Sequence, residues 1–457
     1  MTVGDVEVSE GPRRRWRWES LTGGGAILQE DGFRRLWLGR LCSHTALNAV
    51  LFTLLVLAVG EGSGSGIKSA IFITAYLLPT ATLGTISGVL VDRAPKNLVL
   101  TGINAMRAAV MVFLLMSSQS LWMVYGIALL LAVTSQFAAP AEAAALPQVV
   151  RADQLTVANS TSGFGGLVSQ IVGFAVLPAL FLNTIGPEAL FVVAAALFAT
   201  SSVLFLGIRA LGSQAIDIDN LIESVHDVRK QFAEAWETLG RDVSAYMSVI
   251  IVVLASTASL VAVALMPQFT QDVLDIAVRN SIFVFLPAAA GILAGLRLVQ
   301  LLERRVERIW LVGTGFVLLA VSFVCLALTV PFAEALERLN LFGVFDPGPI
   351  GDTSARIVIT IAFSTAAAFS FSVVGVASRS LVNARMPQEI QGRVFAAQVV
   401  LTNLASIPPI LLAGALSELV GVEPMMFLTV FILVVAALWA LAGALARPKV
   451  SNDAEAA

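Results

Sequence analysis

The chain has few charged residues for its length, and this scarcity limits what it can be. Charged side chains make up 13% of the 457 residues, and hydrophobic side chains make up 57%. A soluble domain typically has roughly 25% charged residues and about half apolar residues. The composition therefore argues against a soluble globular protein. With a net charge of −3, the chain gives no sign of a nucleic-acid partner, and we expect none.

Cysteine and histidine are also rare, with two residues of each. Cys42 and Cys325 both lie in apolar segments, so we expect buried thiols rather than a disulfide framework. The sequence has no G-x-x-x-x-G-K-[ST], no H-E-x-x-H and no paired C-x-x-C. We therefore expect neither an enzyme nor a cofactor nor a bound metal. We also expect no cleavable signal peptide, because the first 32 residues are polar and rich in arginine.

Long apolar runs dominate what is present. About twelve segments approach the ~20 residues with which an α-helix crosses a bilayer core. The predicted fold is all-α and polytopic, with twelve transmembrane helices in two bundles of six. We place the segments at 36–59, 67–91, 98–117, 121–139, 157–182, 189–207, 244–267, 282–302, 310–331, 357–379, 394–418 and 425–445.

A polar stretch separates the first six segments from the last six. Within it, apolar residues recur at helical spacing, which predicts an amphipathic helix along the cytoplasmic face. These residues are Leu221, Val225, Val228, Phe232, Trp236 and Leu239. The predicted organisation is an N-terminal cytoplasmic tail (1–35), a first bundle (36–209), a linker (210–243), a second bundle (244–446) and a C-terminal cytoplasmic tail (447–457).

Lysine and arginine are divided unequally between the two sides of the segments. Twenty-three fall on the side of the termini, and Arg107 lies inside a segment. The other side receives four, which are Lys68, Arg279, Arg338 and Arg356. Because basic residues accumulate on the cytoplasmic side of membrane proteins, this distribution predicts a multi-pass protein of the plasma (inner) membrane with both termini in the cytoplasm.

The connection between the second and third segments has a pattern of small, acidic and basic residues. Gly84 and Gly88 form a pair that would let this helix approach another closely. Asp92 is placed to cap a helix N-terminus or to hold a cation. Arg93 and Lys96 would face the cytosol and the lipid headgroups. The alternative is an ordinary tight loop with a capping aspartate.

This pattern, G-x-L-x-D-R-x-x-[RK] between the second and third of twelve spans, resembles the loop signature of the major facilitator superfamily. Segments 33–40, 140–159 and 387–394 resemble the branch with macrolide-efflux permeases, enterobactin exporters and lysophospholipid transporters. The resemblance implies two bundles that rock about a cavity lined by helices one, four, seven and ten. It implies a gating role for Gly88, Asp92, Arg93 and Lys96, and places Gly392 and Arg393 in a cytoplasmic loop of the second half.

Three polar residues form a stripe along the first segment. Arg40, His44 and Asn48 are spaced four residues apart, so they share one helix face. One interpretation is contact with substrate or protons, because histidine titrates near neutral pH. The other is that Arg40 anchors the helix at the interface while His44 and Asn48 bond a neighbouring helix.

Arg107 lies about half-way along the third segment. A charge at this depth is costly and needs a partner. We predict Glu142 or Asp92 as that partner, and a structural clamp rather than substrate contact. Glu142 is expected at the cytoplasmic end of the fourth segment, so that no acidic residue lies near the middle of a span.

These observations predict a monomeric secondary transporter that exports an amphipathic small molecule by alternating access. Its partners would be the bilayer, the substrate and, if transport is coupled, protons. The fifth segment lacks the Gly-Pro pair usual in antiporters of the superfamily, since Phe174 follows Gly173. The alternatives are a proton-independent uniporter, a lysolipid carrier of the same fold, and a membrane scaffold or sensor that transports nothing.

Overall fold

The computed structural model describes residues 27–60, 65–117, 120–208, 236–303, 305–339 and 349–445. Within these ranges, eleven helices are long and apolar enough to cross a membrane, and Val422–Leu445 adds a helix of 24 residues. The first six are α1 (Asp31–Val59), α2 (Ser65–Arg93), α3 (Lys96–Met116), α4 (Leu121–Val149), α5 (Ala152–Thr184) and α6 (Pro187–Leu206). The last six are α7 (Val243–Asp272), α8 (Val278–Leu302), α9 (Arg308–Ala327), α10 (Pro349–Arg385), α11 (Gln388–Val420) and α12 (Val422–Leu445). The predicted all-α polytopic fold is confirmed.

The helices pack into two bundles of six. In the first bundle α1 contacts α2, α4, α5 and α6, and in the second α7 contacts α9, α10, α11 and α12. The bundles meet where α2 packs against α7 and α11. Large apolar side chains on the outer faces are exposed, as expected for surfaces that lipid covers; Trp122, Val203 and Phe431 are examples.

The connections between helices are shorter than the sequence predicts. Gly88, Asp92 and Arg93 form the last turns of α2, so only Ala94 and Pro95 separate it from α3. The prediction of a loop from Gly88 to Lys96 is therefore wrong in its extent. The physical reason is that nothing in this stretch breaks a helix before Pro95, which takes the N-cap position of α3.

The same correction applies in the second half. Gly392 and Arg393 lie in the first turns of α11 and not in a loop. Pro387 caps this helix, and the Gln391 side-chain amide donates hydrogen bonds to the carbonyl oxygens of Met386 (2.8 Å) and Asn383 (3.0 Å). Because Gln391 satisfies carbonyls at the end of α10, the chain can turn within two residues.

Most of the predicted linker helix lies outside the described residues, as do residues 1–26 of the N-terminal tail and the whole C-terminal tail. Residues 236–241 are helical. Leu239 is fully buried there and packs with Trp236 against the ends of α7, α10 and α11. The end of the linker is thus held against the second bundle by apolar contacts.

The long connection between α9 and α10 begins with a short helix, Thr329–Leu339, which packs on α10. The rings of Phe332 and Phe363 lie 5.7 Å apart in this contact. The sequence predicts an amphipathic turn at Phe332–Leu341, and the part of it that the structure describes is helical; residues 340–348 lie outside the description.

Candidate functional site

A cluster of three ionisable side chains joins α1 to α4. The Arg40 Nε atom lies 2.9 Å from the Glu142 Oε2 atom. One turn further along α1, the His44 Nε2 atom lies 3.0 Å from Oε2 and 3.2 Å from Oε1 of the same carboxylate. An ionised carboxylate only accepts hydrogen bonds, so His44 donates through Nε2. The predicted stripe on α1 therefore has a carboxylate partner.

Glu142 lies about two turns before the end of α4, because this helix is longer than the predicted segment. α4 continues past Pro140 and Pro147 to Val149, and the Glu142 side chain is 5% exposed. The predicted end of the fourth segment at residue 139 is therefore wrong, whereas the expected place of Glu142 toward the cytoplasmic side of the membrane stays a prediction. A proline in a membrane helix is tolerated when neighbouring groups satisfy the freed backbone carbonyl.

In this cluster the basic side chains are partly exposed and the acidic side chain is buried. The side chains of Arg40 and His44 are 27% and 42% exposed, whereas Glu142 is buried behind them. Among the described residues, the Nη1 and Nη2 atoms of Arg40 and the Nδ1 atom of His44 have no hydrogen-bond partner. Three nitrogen atoms are therefore available to a molecule that reaches this surface.

Helix α5 forms the other wall of this site and approaches α1 closely. A Cβ atom on Gly165 would lie 2.7 Å from the Trp37 Nε1 atom, and one on Gly173 would lie 2.6 Å from the Thr45 carbonyl oxygen. A cavity of about 30 Å³ remains between the helices beside Arg40 and His44. A cavity of this volume has room for a water molecule.

Asn48 does not join the cluster, although it shares the face. Its side-chain amide lies 3.4 Å from the Ser169 carbonyl oxygen, while the Ser169 hydroxyl donates to the Leu41 carbonyl at 3.2 Å. Both bonds tie α1 to α5. His44 and Asn48 therefore both bond a neighbouring helix, as the second interpretation predicts, and contact of Arg40 and His44 with substrate or protons stays a prediction.

Arg107 is buried, but its partners are hydroxyl groups. It donates from Nε to the Thr134 Oγ1 atom (3.0 Å), from Nη1 to the Ser43 Oγ atom (3.2 Å) and from Nη2 to the Ser135 Oγ atom (2.8 Å). Its guanidinium also lies 5.8 Å from the centre of the Phe198 ring. These contacts join α3 to α1, α4 and α6, as a structural clamp would.

Arg107 makes no ion pair with Glu142 at contact distance, because Arg40 and His44 occupy that carboxylate, although the two opposite charges still interact. Thr134 and Ser135 each donate their own proton to the Leu131 carbonyl (2.8 and 2.7 Å), which leaves oxygen lone pairs for Arg107. Sequence reasoning missed both residues. Serine and threonine in membrane helices commonly bond only their own backbone, so nothing in the sequence marks them.

The second bundle offers an apolar cavity of about 320 Å³ between α7, α8, α9 and α10. Ser259 and Ser364 are the polar residues of its lining, which otherwise consists of apolar side chains such as Met266, Phe323 and Phe371. Ligand pockets are commonly lined by apolar groups of this kind with a few polar ones. This cavity is lined by the second bundle alone, and the cluster of Arg40, His44 and Glu142 lies within the first.

The two bundles are joined at the end that carries the α1–α2 connection. We call this contact the outer seam, because the sequence predicts that this end of the helices faces away from the cytoplasm. It consists of Gly60, Gly66, Ser69 and Ala70 of the first bundle and Ala264, Gln271, Gly414 and Glu418 of the second. The Glu418 carboxylate accepts a hydrogen bond from the Gly66 N–H at 2.8 Å, and Gln271 donates to the Gly60 carbonyl at 3.3 Å. The Ser69 hydroxyl donates to the Ala264 carbonyl.

Glycine permits the close approach at the centre of the seam. A Cβ on Gly414 would meet the Ala70 Cβ atom and lie 2.7 Å from the Gly66 carbonyl oxygen. At Gly88, where we predicted close packing, a Cβ would meet nothing within 4 Å, so that prediction is wrong for this conformation. The side chains of Asp92 and Arg93 lie outside the description, and Lys96 is buried.

Comparisons with known proteins agree with this architecture. A sequence model of the Major Facilitator Superfamily matches residues 36–409. The crystal structure of the nucleoside transporter NupG is similar, with 15% identity over 91% of this chain and 99% of that one and a TM-score of 0.61. The crystal structure of a bacterial homolog of the human lysosomal transporter Spinster, in an inward-facing and unoccupied conformation, is also similar. The two chains are 13% identical over 91% of this chain and 97% of that one, with a TM-score of 0.63. No curated protein matches the chain.

Proposed function

The chain belongs to the Major Facilitator Superfamily, and from this premise we propose that it exports an amphipathic small molecule across the plasma membrane by alternating access. The observation that carries the proposal is the cluster of Arg40, His44 and Glu142 on α1 and α4. Charged groups within membrane helices are costly and mark substrate or proton pathways. The apolar cavity of the second bundle supports a substrate that is partly apolar.

The outer seam supports alternating access. A carrier of this type closes one end of its central cavity while the other end opens, and small residues at a helix contact make such closure tight. The packing of Gly66 on Gly414 has this form. The seam joins ends of α2 and α11 that lie opposite the proposed cytoplasmic termini, so we assign it to the outer side.

We propose that both termini are cytoplasmic, on the basis of the unequal distribution of basic residues. In a variant without its native cysteines, a cysteine at Ser120 between α3 and α4 should react with a membrane-impermeant thiol reagent added to intact cells. A cysteine at Ala152 after α4 should not react, and both positions are exposed. Reaction of the second position alone would reverse the orientation.

The function is tested by flux into and out of liposomes that contain the purified protein. A panel of anionic, neutral and cationic amphiphiles is offered with and without an imposed pH gradient. We expect at least one compound to move at a rate well above that of protein-free liposomes. If none does, the chain is not an exporter of amphipathic molecules, and a scaffold or sensor becomes the better account.

We propose His44 as the residue that couples transport to protons. Its Nδ1 atom can take up a proton while Nε2 stays bonded to Glu142, and Arg40 is the other ionisable group beside it. His44→Gln should flatten the response of the flux to the pH gradient. An equal response in wild type and variant would assign the proton to another residue, and no response in wild type would indicate an uncoupled carrier.

A further inference from the structure

The charges within the membrane helices do not balance. In the second bundle, every Asp, Glu, Lys, Arg and His of the helices lies within two turns of a helix end, whereas Arg40, His44 and Arg107 lie deeper in α1 and α3. Among the described residues, Glu142 is the carboxylate within ion-pair distance of Arg40 and His44, and none is within that distance of Arg107. This region of the described helices thus has two guanidinium groups and one carboxylate, which contacts Arg40 and not Arg107.

This excess of positive charge favours a bound anion. Arg107 is enclosed by hydroxyl groups and the Phe198 ring, so no ligand reaches it, but its charge still acts on the surroundings. Charges interact strongly where water is scarce. A proton on His44 would add to the excess. The region therefore attracts an anion and disfavours a cation.

The accessible atoms have the geometry for such an anion. Glu142 occupies one side of Arg40 and His44, while Nη1 and Nη2 of Arg40 remain without a partner among the described residues. The two terminal nitrogens of a guanidinium match the oxygen atoms of a carboxylate or phosphate group. A cationic group would meet Arg40 and His44 before Glu142, which is 5% exposed.

We propose that the transported molecule is an anionic amphiphile whose carboxylate or phosphate group accepts hydrogen bonds from Nη1 and Nη2 of Arg40, and from Nδ1 of His44 when the imidazole carries a second proton. This inference rests on the proposed carrier function and specifies its substrate class. The anionic group lies on the side where these two side chains are exposed, and Glu142 holds them from behind. The apolar part of the molecule contacts the second bundle, whose helix interiors contain no ionisable group of these types.

The test measures binding of three fluorescent probes to the full chain in lipid nanodiscs. They are 11-(dansylamino)undecanoate, its neutral primary amide and the cationic amine of the same length. We expect the carboxylate to bind about tenfold or more tightly than the amide, which corresponds to roughly 1.4 kcal/mol. Arg40→Gln should remove this preference. Arg305→Gln, a matched change of an exposed arginine outside the helices, should retain it.

Two results would overturn the inference. The first is that the amide or the amine binds as tightly as the carboxylate. The second is that the carboxylate has the same affinity for the wild type and for Arg40→Gln, or binds to neither protein. The flux assay separates this failure from failure of the carrier proposal. If neutral or cationic compounds are transported as fast as anions, the carrier proposal stands and the anion-site inference fails. If the carboxylate binds through Arg40 but no compound is transported, the anion site stands and the carrier proposal fails.

A water-soluble competitor identifies the source of the anion. If 2-naphthoate displaces the dansyl carboxylate, the anionic group is recognised without a long chain, and a soluble substrate from the cytosol fits the site. If only long-chain carboxylates compete, the anion is one that enters from the lipid. Both results keep the anionic class, and displacement by 2-naphthylamine to the same extent would contradict it.

Discussion

Glu142→Gln is expected to lower the transport rate about tenfold or more without weakening the binding of an anionic probe. The glutamine keeps the size of the side chain but removes the negative charge that holds Arg40 and His44. In the wild type, the negative charge of Glu142 offsets part of the attraction of Arg40 and His44 for the substrate anion. Without that charge the substrate anion leaves slowly, and the carrier stalls in its loaded state.

The expected magnitude follows from the burial of the pair. Breaking a fully buried ion pair costs about 3–5 kcal/mol. Because Arg40 and His44 are partly exposed, we expect about half of this. The measurement combines flux in liposomes, probe binding in nanodiscs and protein abundance in the membrane. Glu142→Asp should recover part of the rate because it restores the charge.

Glu307→Gln is the matched control, since Glu307 is exposed and its side chain makes no cap bond at the start of α9. It should transport at the wild-type rate. Normal transport by Glu142→Gln at normal abundance would show that the cluster has no part in turnover. A loss confined to abundance would show that Glu142 only stabilises the fold.

Gly414→Val is the second change with a large expected effect, and it acts on the outer seam. The new side chain would overlap Ala70 and the Gly66 backbone, so α2 and α11 could not close. Overpacking of this kind costs about 1–3 kcal/mol, which shifts a two-state equilibrium by roughly one to two powers of ten. We expect flux to fall by a similar factor while the protein still inserts into the membrane.

A buried position in the seam reports the open state directly. Ser69 is fully buried, so a cysteine there should react slowly with an impermeant reagent added from outside. In the Gly414→Val background, it should react quickly. Gly126→Val is the control, because a Cβ at Gly126 in α4 meets nothing within 4 Å. Slow labelling together with full flux in Gly414→Val would contradict the gating role of the seam.

Much of the fold follows from the sequence because the bilayer restricts the choices. Backbone groups in lipid must bond within their own segment, so an apolar run of ~20 residues becomes a helix. The helix ends were less predictable. α2 runs to Arg93 and α11 starts at Gln388, because polar residues continue a helix beyond the lipid when nothing breaks it.

The candidate site was predicted in part. The spacing of Arg40 and His44 placed them on one face, and depth marked Arg107 as buried. The sequence does not show which of these basic side chains contacts Glu142. That contact depends on the rotation of α4 about its axis and on the distance between α1 and α4. The position of α1 depends on its close packing against Gly165 and Gly173 of α5. A glycine in the sequence does not show which helix will pack against it.

By itself, the sequence determined the number of helices, because this number depends on local composition. It also determined how few charged residues the helices contain and where along each helix they lie, because charge in lipid has a high energetic cost. The tertiary structure alone decided the pairings: Glu142 with Arg40 and His44, Arg107 with three hydroxyl groups, and Gly66 with Gly414. These contacts join residues far apart in the chain, and their formation depends on the rotation and distance of packed helices. Side-chain fit between neighbouring helices fixes both quantities.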